Sequence, residues 1–332
     1  MKKISKLGIG PMSSEIIEAV FKYSKEKKEP LMLISSKNQI DWDGGYVNNW
    51  NTRQYMTYIK KMEDKYRGAK VYMCRDHCGP GFKKSKLKDT YKTIENDIEN
   101  GFDLIHIDFS KLKKDYDKIL DESKKAIKYI QKKSPETLIE VGTDENTGLL
   151  SKNYYNRVKK EMEFFTNFSN IHFFVCQTGS LVKEINQVGK FNKEFIKKIK
   201  CLAKKHNLYL KEHNLDYVSK ERIKSRKGLI DAVNVAPQLG VIQTNLTITK
   251  ALLYGIDFSN FLNDSYKSKK WEKWLFKEKS CNKLLCSLIA GHYIFNNKSY
   301  KDLYGKINKH EDFRETIIKE IMNNIDLYIK NL

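Results

Sequence analysis

The sequence predicts an α/β fold, a (β/α)8 TIM barrel with a C-terminal helical extension. Three observations lead there. Short apolar runs that read as strands alternate with amphipathic segments that read as helices, the pattern of a parallel sheet covered by helices. Eight such units fit within residues 1–255, the number that closes a barrel. Hydrogen-bonding and metal-competent side chains collect where the apolar runs end, which is where barrels carry their chemistry. A doubly wound open sheet is the alternative. The expected organisation is a barrel over residues 1–255 and, over 256–332, a helical extension packed on the barrel or serving as a dimer contact.

Residues 7–11 are the first and shortest strand. Ser13 or Ser14 can cap a helix with apolar positions Ile16, Ile17, Val20 and Phe21, which Pro30 ends. The strand at 31–35 leads to Ser36, Asn38 and Gln39, then to a polar Asp43-Gly-Gly-Tyr46 loop. A helix at 52–66 precedes the third strand, 70–74, which is expected to stop at Cys74 and deliver Arg75, Asp76 and His77 to a turn closed by Gly79-Pro80. A helix at 87–100 ends at Gly101. In the strand at 102–109, alternation puts His106 and Asp108 on one face. After a helix at 116–132, the strand at 137–141 contains Glu140 and exits at Asp144. A helix at 154–168 and a strand at 171–176 lead to Gln177. A helix at 193–206 and a strand at 208–212 lead to His213 and Asp216. A short helical piece at 219–227 precedes the strand at 230–235, with Asn234, and a helix at 247–254. Beyond 256, Trp271, Trp274, Leu275 and Phe276 precede a helix near 284–289 and a final one over 313–329.

The formal charge of +21 raises nucleic acid as a partner. Only seven of the 62 basic residues are arginine, the residue suited to bidentate base and phosphate contacts, and the lysines are spread along amphipathic segments. An anionic small substrate fits better than nucleic acid. No apolar stretch approaches the roughly 18 residues of a membrane helix, and no signal peptide is expected. The six cysteines form no CxxC pair, which points to reduced thiols in a cytoplasmic protein.

Asp76 and His77 taken alone also read as a turn in which Asp76 caps backbone amides. The pattern of exits favours a site. His77 and His213, on opposite sides of a barrel mouth, can share one divalent ion, with Gln177, Glu140, Asp108 or Asp144 supplying an oxygen. His106, inside a strand, reads as a satisfied core histidine, and Lys37, Lys83 and Lys211 read as surface lysines near the mouth.

These residues form a recognisable set: Ser36-Lys-Asn-Gln39 with Gly44-Gly-Tyr46, Asp76-His77-Cys-Gly-Pro80, Gly101-Phe-Asp-Leu-Ile-His-Ile-Asp108, Val141-Gly-Thr143, Gln177-Thr-Gly179, His213 followed by Asp216-Tyr217, and Asn234-Val-Ala-Pro237. In order and spacing they resemble the class II ketose-bisphosphate aldolases, and within them the tagatose-bisphosphate aldolase accessory-subunit family. The resemblance implies a metal-dependent barrel. It places the acid/base on Asp76, a matching carboxylate on Glu140, and zinc ligands on His77 and His213. The third zinc histidine of the catalytic aldolases falls on Gln177, and their glycine-rich phosphate loop falls on Asn214-Leu-Asp-Tyr217. Asn38, Gln39 and Asn234 would hold substrate hydroxyls, with Asp108, Gln177 and Asp216 completing the substrate-facing set. The implied function is a sugar aldolase or related retro-aldol epimerase acting on a ketose or sugar phosphate. Its metal would be Zn²⁺, with Mn²⁺, Co²⁺ and Mg²⁺ as alternatives. The other implied role is that of a non-catalytic accessory subunit that stabilises a class II aldolase partner; a homo-oligomer is also compatible.

Overall fold

A computed structural model describes residues 4–143, 153–276 and 282–332. Eight parallel strands close a barrel in the order β1 (Leu7–Ile9), β10 (Ala232–Val235), β9 (Tyr209–Glu212), β6 (Phe173–Val175), β5 (Leu138–Gly142), β4 (Leu104–Ile107), β3 (Val71–Cys78) and β2 (Leu31–Ser36). The ring closes through β1, where Leu7 lies opposite Val233 and Gly8 opposite Met32. Closure removes the open-sheet alternative. A two-stranded hairpin, β7 (Val182–Lys183) with β8 (Asn186–Gln187), follows β6. Two residues per strand are too few to carry a periodic signal, so the sequence did not announce it.

Around the barrel run α1 (Ser14–Lys27), α2 (Thr52–Lys65), α3 (Leu87–Glu99), α4 (Tyr116–Lys133), α5 (Tyr154–Thr166), α6 (Lys193–Lys205), α7 (Lys220–Lys224) and α8 (Pro237–Leu253). Several begin on side-chain caps that satisfy orphan amides: Ser13 accepts from Ile16 N, Asp115 from Lys118 N, and Asn51 forms a reciprocal box with Gln54. The helix expected from residue 247 starts ten residues earlier, at Pro237 in its first turn. Its cap comes from elsewhere in the chain. Asp216 Oδ1 accepts from Ala236 N and Gln238 N, both at 2.9 Å.

Strand alternation sorts the barrel interior into two levels. Met32, Ile34, Cys74, Leu104, Phe173 and Ala232 form an apolar plug. Two residues further along the strands, the same inward face carries Asp76, His106, Glu140, Lys211 and, after β9, His213. The larger core lies between strands and helices.

The third strand does not stop at Cys74. It runs to Cys78, with a register irregularity between Arg75 and Cys78 and His77 at φ +48°. Arg75 therefore belongs to the sheet, not to a turn. It is fully buried on the outer face, where its guanidinium grips Asp97 of α3 at 2.7 and 2.6 Å and the carbonyl of Ser35 at 2.9 Å. A regular strand would send Asp76 and His77 to opposite faces. The irregularity re-aims His77, so both reach the mouth.

Four more helices follow: α9 (Ser259–Lys267), α10 (Lys283–Ala290), α11 (Lys298–Ile307) and α12 (Phe313–Asn331). α10 and α12 match expectation, whereas α9 and α11 were not foreseen. α12 is tied to α1 by Arg314, which reaches Glu15 and Glu18 at 2.8 Å each. A turn at Gly291–Ile294 packs directly on α8; a Cβ on Gly240 would lie 2.6 Å from His292 Cβ. Cys74, Cys78, Cys176 and Cys201 are not disulfide-bonded. Cys286 is disulfide-bonded, unlike the reduced state expected throughout, and Cys281 lies outside the described residues. Asp144 also lies outside them. No helix among the described residues is long and apolar enough to cross a membrane.

Candidate metal centre and active site

Three imidazoles meet at the C-terminal mouth of the barrel. The ring centres of His77, His106 and His213 form a near-equilateral triangle with sides of 5.1, 5.2 and 5.2 Å. Asp76 sits among them. Its Oδ1 lies 3.7 Å from both His106 Nδ1 and His213 Nδ1, and its Oδ2 lies 3.8 Å from His77 Nε2.

Each ring is oriented by an acceptor on its other nitrogen. His77 Nδ1 donates to Asp108 Oδ2 at 2.7 Å, His213 Nε2 to Glu140 Oε1 at 2.9 Å, and His106 Nε2 to the Gly142 carbonyl at 2.8 Å. Carboxylates and carbonyls only accept, so these bonds set the tautomers and turn His77 Nε2, His106 Nδ1 and His213 Nδ1 toward the centre. His106 Nδ1 also accepts the His77 backbone N–H at 3.2 Å. Asp108 is itself anchored, accepting from Ser110 N at 3.0 Å. Glu140 is held by Lys211 Nζ at 2.7 Å, with both side chains about 1 % exposed.

The electrostatics follow from this packing. Burial alone would raise the Asp76 carboxyl, but His77, His213 and His106 hold it far below the usual carboxylate range. Burial likewise opposes ionisation of Glu140, yet Lys211 and His213 bring its pKa down to about 2. Both are ionised at neutral pH.

The centre fits a divalent cation. Asp76 Oδ1 and His213 Nδ1 are buried without a hydrogen-bond partner. One donor atom from each of Asp76, His77, His106 and His213 falls within 4.8 Å of the others. Tetrahedral ligands at zinc distances stand about 3.4 Å apart, so donors within 4.8 Å of one another would have to draw inward around an ion. Three imidazoles, each backed by an outer acceptor, are the donor set of such a site.

A cavity of about 460 Å³ opens above the centre. Of the residues read from sequence, Asn38, Gln39, Asp76, His77 and Asp108 lie on its wall. Asp108 serves His77. Five others do not line it. His213 stands in the imidazole cluster. Glu140 lies beneath His213 and orients it. Gln177 is buried, its Oε1 accepting from Gly179 N at 3.2 Å. Asp216 is fully buried under the start of α8. Asn234 points its amide toward Gly8, where a Cβ would lie 2.3 Å from Asn234 Oδ1. Lys37 and Lys211 are buried, not surface lysines, and Lys83 bonds Asp43. A larger cavity, about 850 Å³, lies between the start of α1 and α11–α12, away from the centre.

The sequence reading missed His106. Its alternation with Leu104 and Asp108 already put it on the inward face. What was not visible was that the irregularity in β3 turns His77 back over it.

A barrel carrying its charged cluster at the C-terminal strand ends belongs to the enzyme-bearing (β/α)8 class. A family model described as class II fructose-bisphosphate aldolase matches residues 7–203, more than half of the chain, and the chain belongs to that family. The chain has no match among curated protein sequences. Solved structures share the fold at low identity. A probable tagatose 6 phosphate kinase from Sinorhizobium meliloti is 13% identical with a TM-score of 0.79, the match covering 99% of this chain and 100% of that one. The fructose-bisphosphate aldolase of Campylobacter jejuni is 12% identical with a TM-score of 0.63, covering 99% and 90%. The YdjI aldolase of Escherichia coli is 13% identical with a TM-score of 0.55, covering 93% and 94%.

Proposed function

We propose that this chain is a divalent-metal-dependent aldolase or retro-aldol epimerase acting on a ketose or ketose phosphate, with the metal held by His77, His106 and His213. The observation that carries the reading is the triangle of three oriented imidazoles around Asp76 in a family of aldolases. Zn²⁺ suits the donors best, with Mn²⁺, Co²⁺ and Mg²⁺ as alternatives. When bound, the ion would supply the Lewis acidity that polarises a substrate ketone.

The chain's own residues do the rest. Asp76, ionised and on the cavity wall, accepts the proton of the hydroxyl whose carbon–carbon bond breaks, and returns it on condensation. Asp108 and Glu140 hold His77 and His213 in the tautomers that face the centre. Asn38 and Gln39 offer amides to substrate hydroxyls from the β2 side. His106 takes the place in the donor set that the family resemblance would give to Gln177.

The test is turnover of a panel of ketoses and ketose phosphates after loading with Zn²⁺ or Mn²⁺. Asp76→Asn and His77→Ala should each abolish it. Turnover unaffected by both substitutions would overturn the mechanism. The accessory-subunit reading is favoured by one observation, that Gln177 and not a histidine follows β6, where the family resemblance puts the third zinc ligand. Co-purification with a class II aldolase, together with no metal and no turnover in the pure chain, would make it the better account.

A further inference from the structure

Asp108 holds the His77 imidazole by one nitrogen, and Phe82 covers its face. The two rings stack with centres 5.0 Å apart and planes 20° from parallel. Lys111 also stands over the Phe82 ring, its Nζ 3.8 Å from the ring centre, within range of a cation–π contact. His77, Phe82, Asp108 and Lys111 all lie on the wall of the mouth cavity.

The loop that carries Phe82 has a backbone that few residues adopt unaided. Lys83 and Lys84, each at φ +55°, are left-handed, as is His77 at φ +48°. Residues with a Cβ keep that conformation where their surroundings over-determine it. Here those surroundings are specific contacts. Gly81 N donates to the Ser85 carbonyl at 2.8 Å, and Ser85 Oγ donates to the Phe82 carbonyl at 2.7 Å. Ser85 Oγ in turn accepts from Lys37 Nζ at 3.0 Å, which accounts for a lysine only 1 % exposed. Lys83 Nζ meets Asp43 and, at 3.7 Å, Asp41. The loop is also pressed against the exit of β4. A Cβ on Gly79 would lie 1.7 Å from the Asp108 carbonyl oxygen, and one on Gly81 2.8 Å from Lys111 Cβ. The two segments are thus locked together, and each supplies one support to His77.

We propose that Phe82 is a positioning residue of the centre, whose ring holds the plane of the His77 imidazole so that Nε2 stays aimed at Asp76 and the other two imidazoles. The hydrogen bond to Asp108 decides which nitrogen points inward, but a single such bond tolerates tilting of the ring about it. A stacked aromatic face restricts that tilt, because the contact is lost when the planes diverge. Phe82 has no atom that can ligate a metal, so it acts only through His77. Its effect on metal binding rests on the His77 ligation proposed above; its effect on the imidazole itself does not.

The experiment compares the full parent chain with Phe82→Leu, which removes the ring, and Phe82→Tyr, which keeps it. Zn²⁺ titration against a competing chelator should find Phe82→Leu about two- to tenfold weaker, the scale of one aromatic stacking contact, and Phe82→Tyr close to the parent. In the metal-free chain at one fixed pH, the His77 ring-proton resonances should move downfield in Phe82→Leu, as the ring current of the stacked benzene is lost, and stay near the parent positions in Phe82→Tyr. Phe82 is half-buried, so melting temperatures check the fold, and Phe82→Met replaces the leucine variant if that one melts well below the parent. Unmoved His77 resonances in the ringless variant, or a tyrosine variant as displaced as the leucine one, would overturn the role. So would parental Zn²⁺ affinity in the ringless variant. A parent chain that binds no Zn²⁺ overturns the proposed metal centre instead; resonances that move with the leucine and return with the tyrosine would then still establish that Phe82 positions His77.

Discussion

His77 Nδ1 lies 2.7 Å from Asp108 Oδ2, and that bond decides which nitrogen of His77 faces the centre. Asp108 is thus a positioning residue. We predict that Asp108→Ala lowers Zn²⁺ affinity about 10- to 100-fold, the usual cost of losing an outer partner of a ligating histidine. Zn²⁺ titration against a competing chelator measures it. Affinity equal to that of the parent chain would show that His77 needs no such support.

The third imidazole is expected from β4. His106→Ala should reduce bound metal below one per chain, whereas Gln177→Ala should leave it at the parental level. Elemental analysis after dialysis distinguishes the two. The opposite ranking would return the third ligand to the exit of β6.

Lys211 and Glu140 form a buried ion pair at 2.7 Å. Removing one partner leaves a buried charge, so Lys211→Met or Glu140→Gln should destabilise by about 3–5 kcal/mol, and the double variant should recover much of it. The Glu140 carboxyl is depressed from 4.5 to about 2. Its contribution is therefore full above about pH 4.5 and fades as pH falls toward 2. Urea unfolding across that window should show a decline that Glu140→Gln flattens; parallel curves would contradict the assignment.

Asp216 behaves in the opposite sense. Burial raises its carboxyl from 3.8 to about 7, outweighing the amides of Gln238 and Ala236. The folded state then holds a proton that the unfolded chain releases. Stability from this group is full below about pH 4 and is lost as pH rises through 7. Asp216→Asn keeps the acceptor oxygen without the charge. It should match the parent at pH 4 and exceed it at pH 8, by on the order of 2–4 kcal/mol. Midpoints of urea unfolding at the two pH values test this, and an Asn variant weaker at pH 8 would refute it.

The eight strand–helix units were legible because each strand is a short apolar run bounded by turn residues, and each helix shows one apolar face. Asp76, His77 and His213 were legible because barrels place chemistry where strands end. His106 was not, because a histidine within an apolar strand looks the same whether its partner is a carbonyl or a metal. Nor was the start of α8, whose cap is Asp216, twenty residues earlier and in a different loop. The stack of Phe82 on His77 could not be placed from sequence either, since no local pattern tells which way a left-handed loop sends its side chain.

By itself, then, the sequence determined the barrel, the level at which its polar residues stand and the identity of most of them, since hydrophobic periodicity and strand alternation are local properties. Only the tertiary structure decided which of those residues meet. The irregularity in β3 turns His77 back over His106, and ring closure brings β9 across from β3, so that His213 joins them. Glu140 and Asp108 became supports for imidazoles, and Gln177, Asp216 and Asn234 fell behind the wall. Those roles depend on contacts between strands far apart in the chain, which spacing along one strand cannot encode.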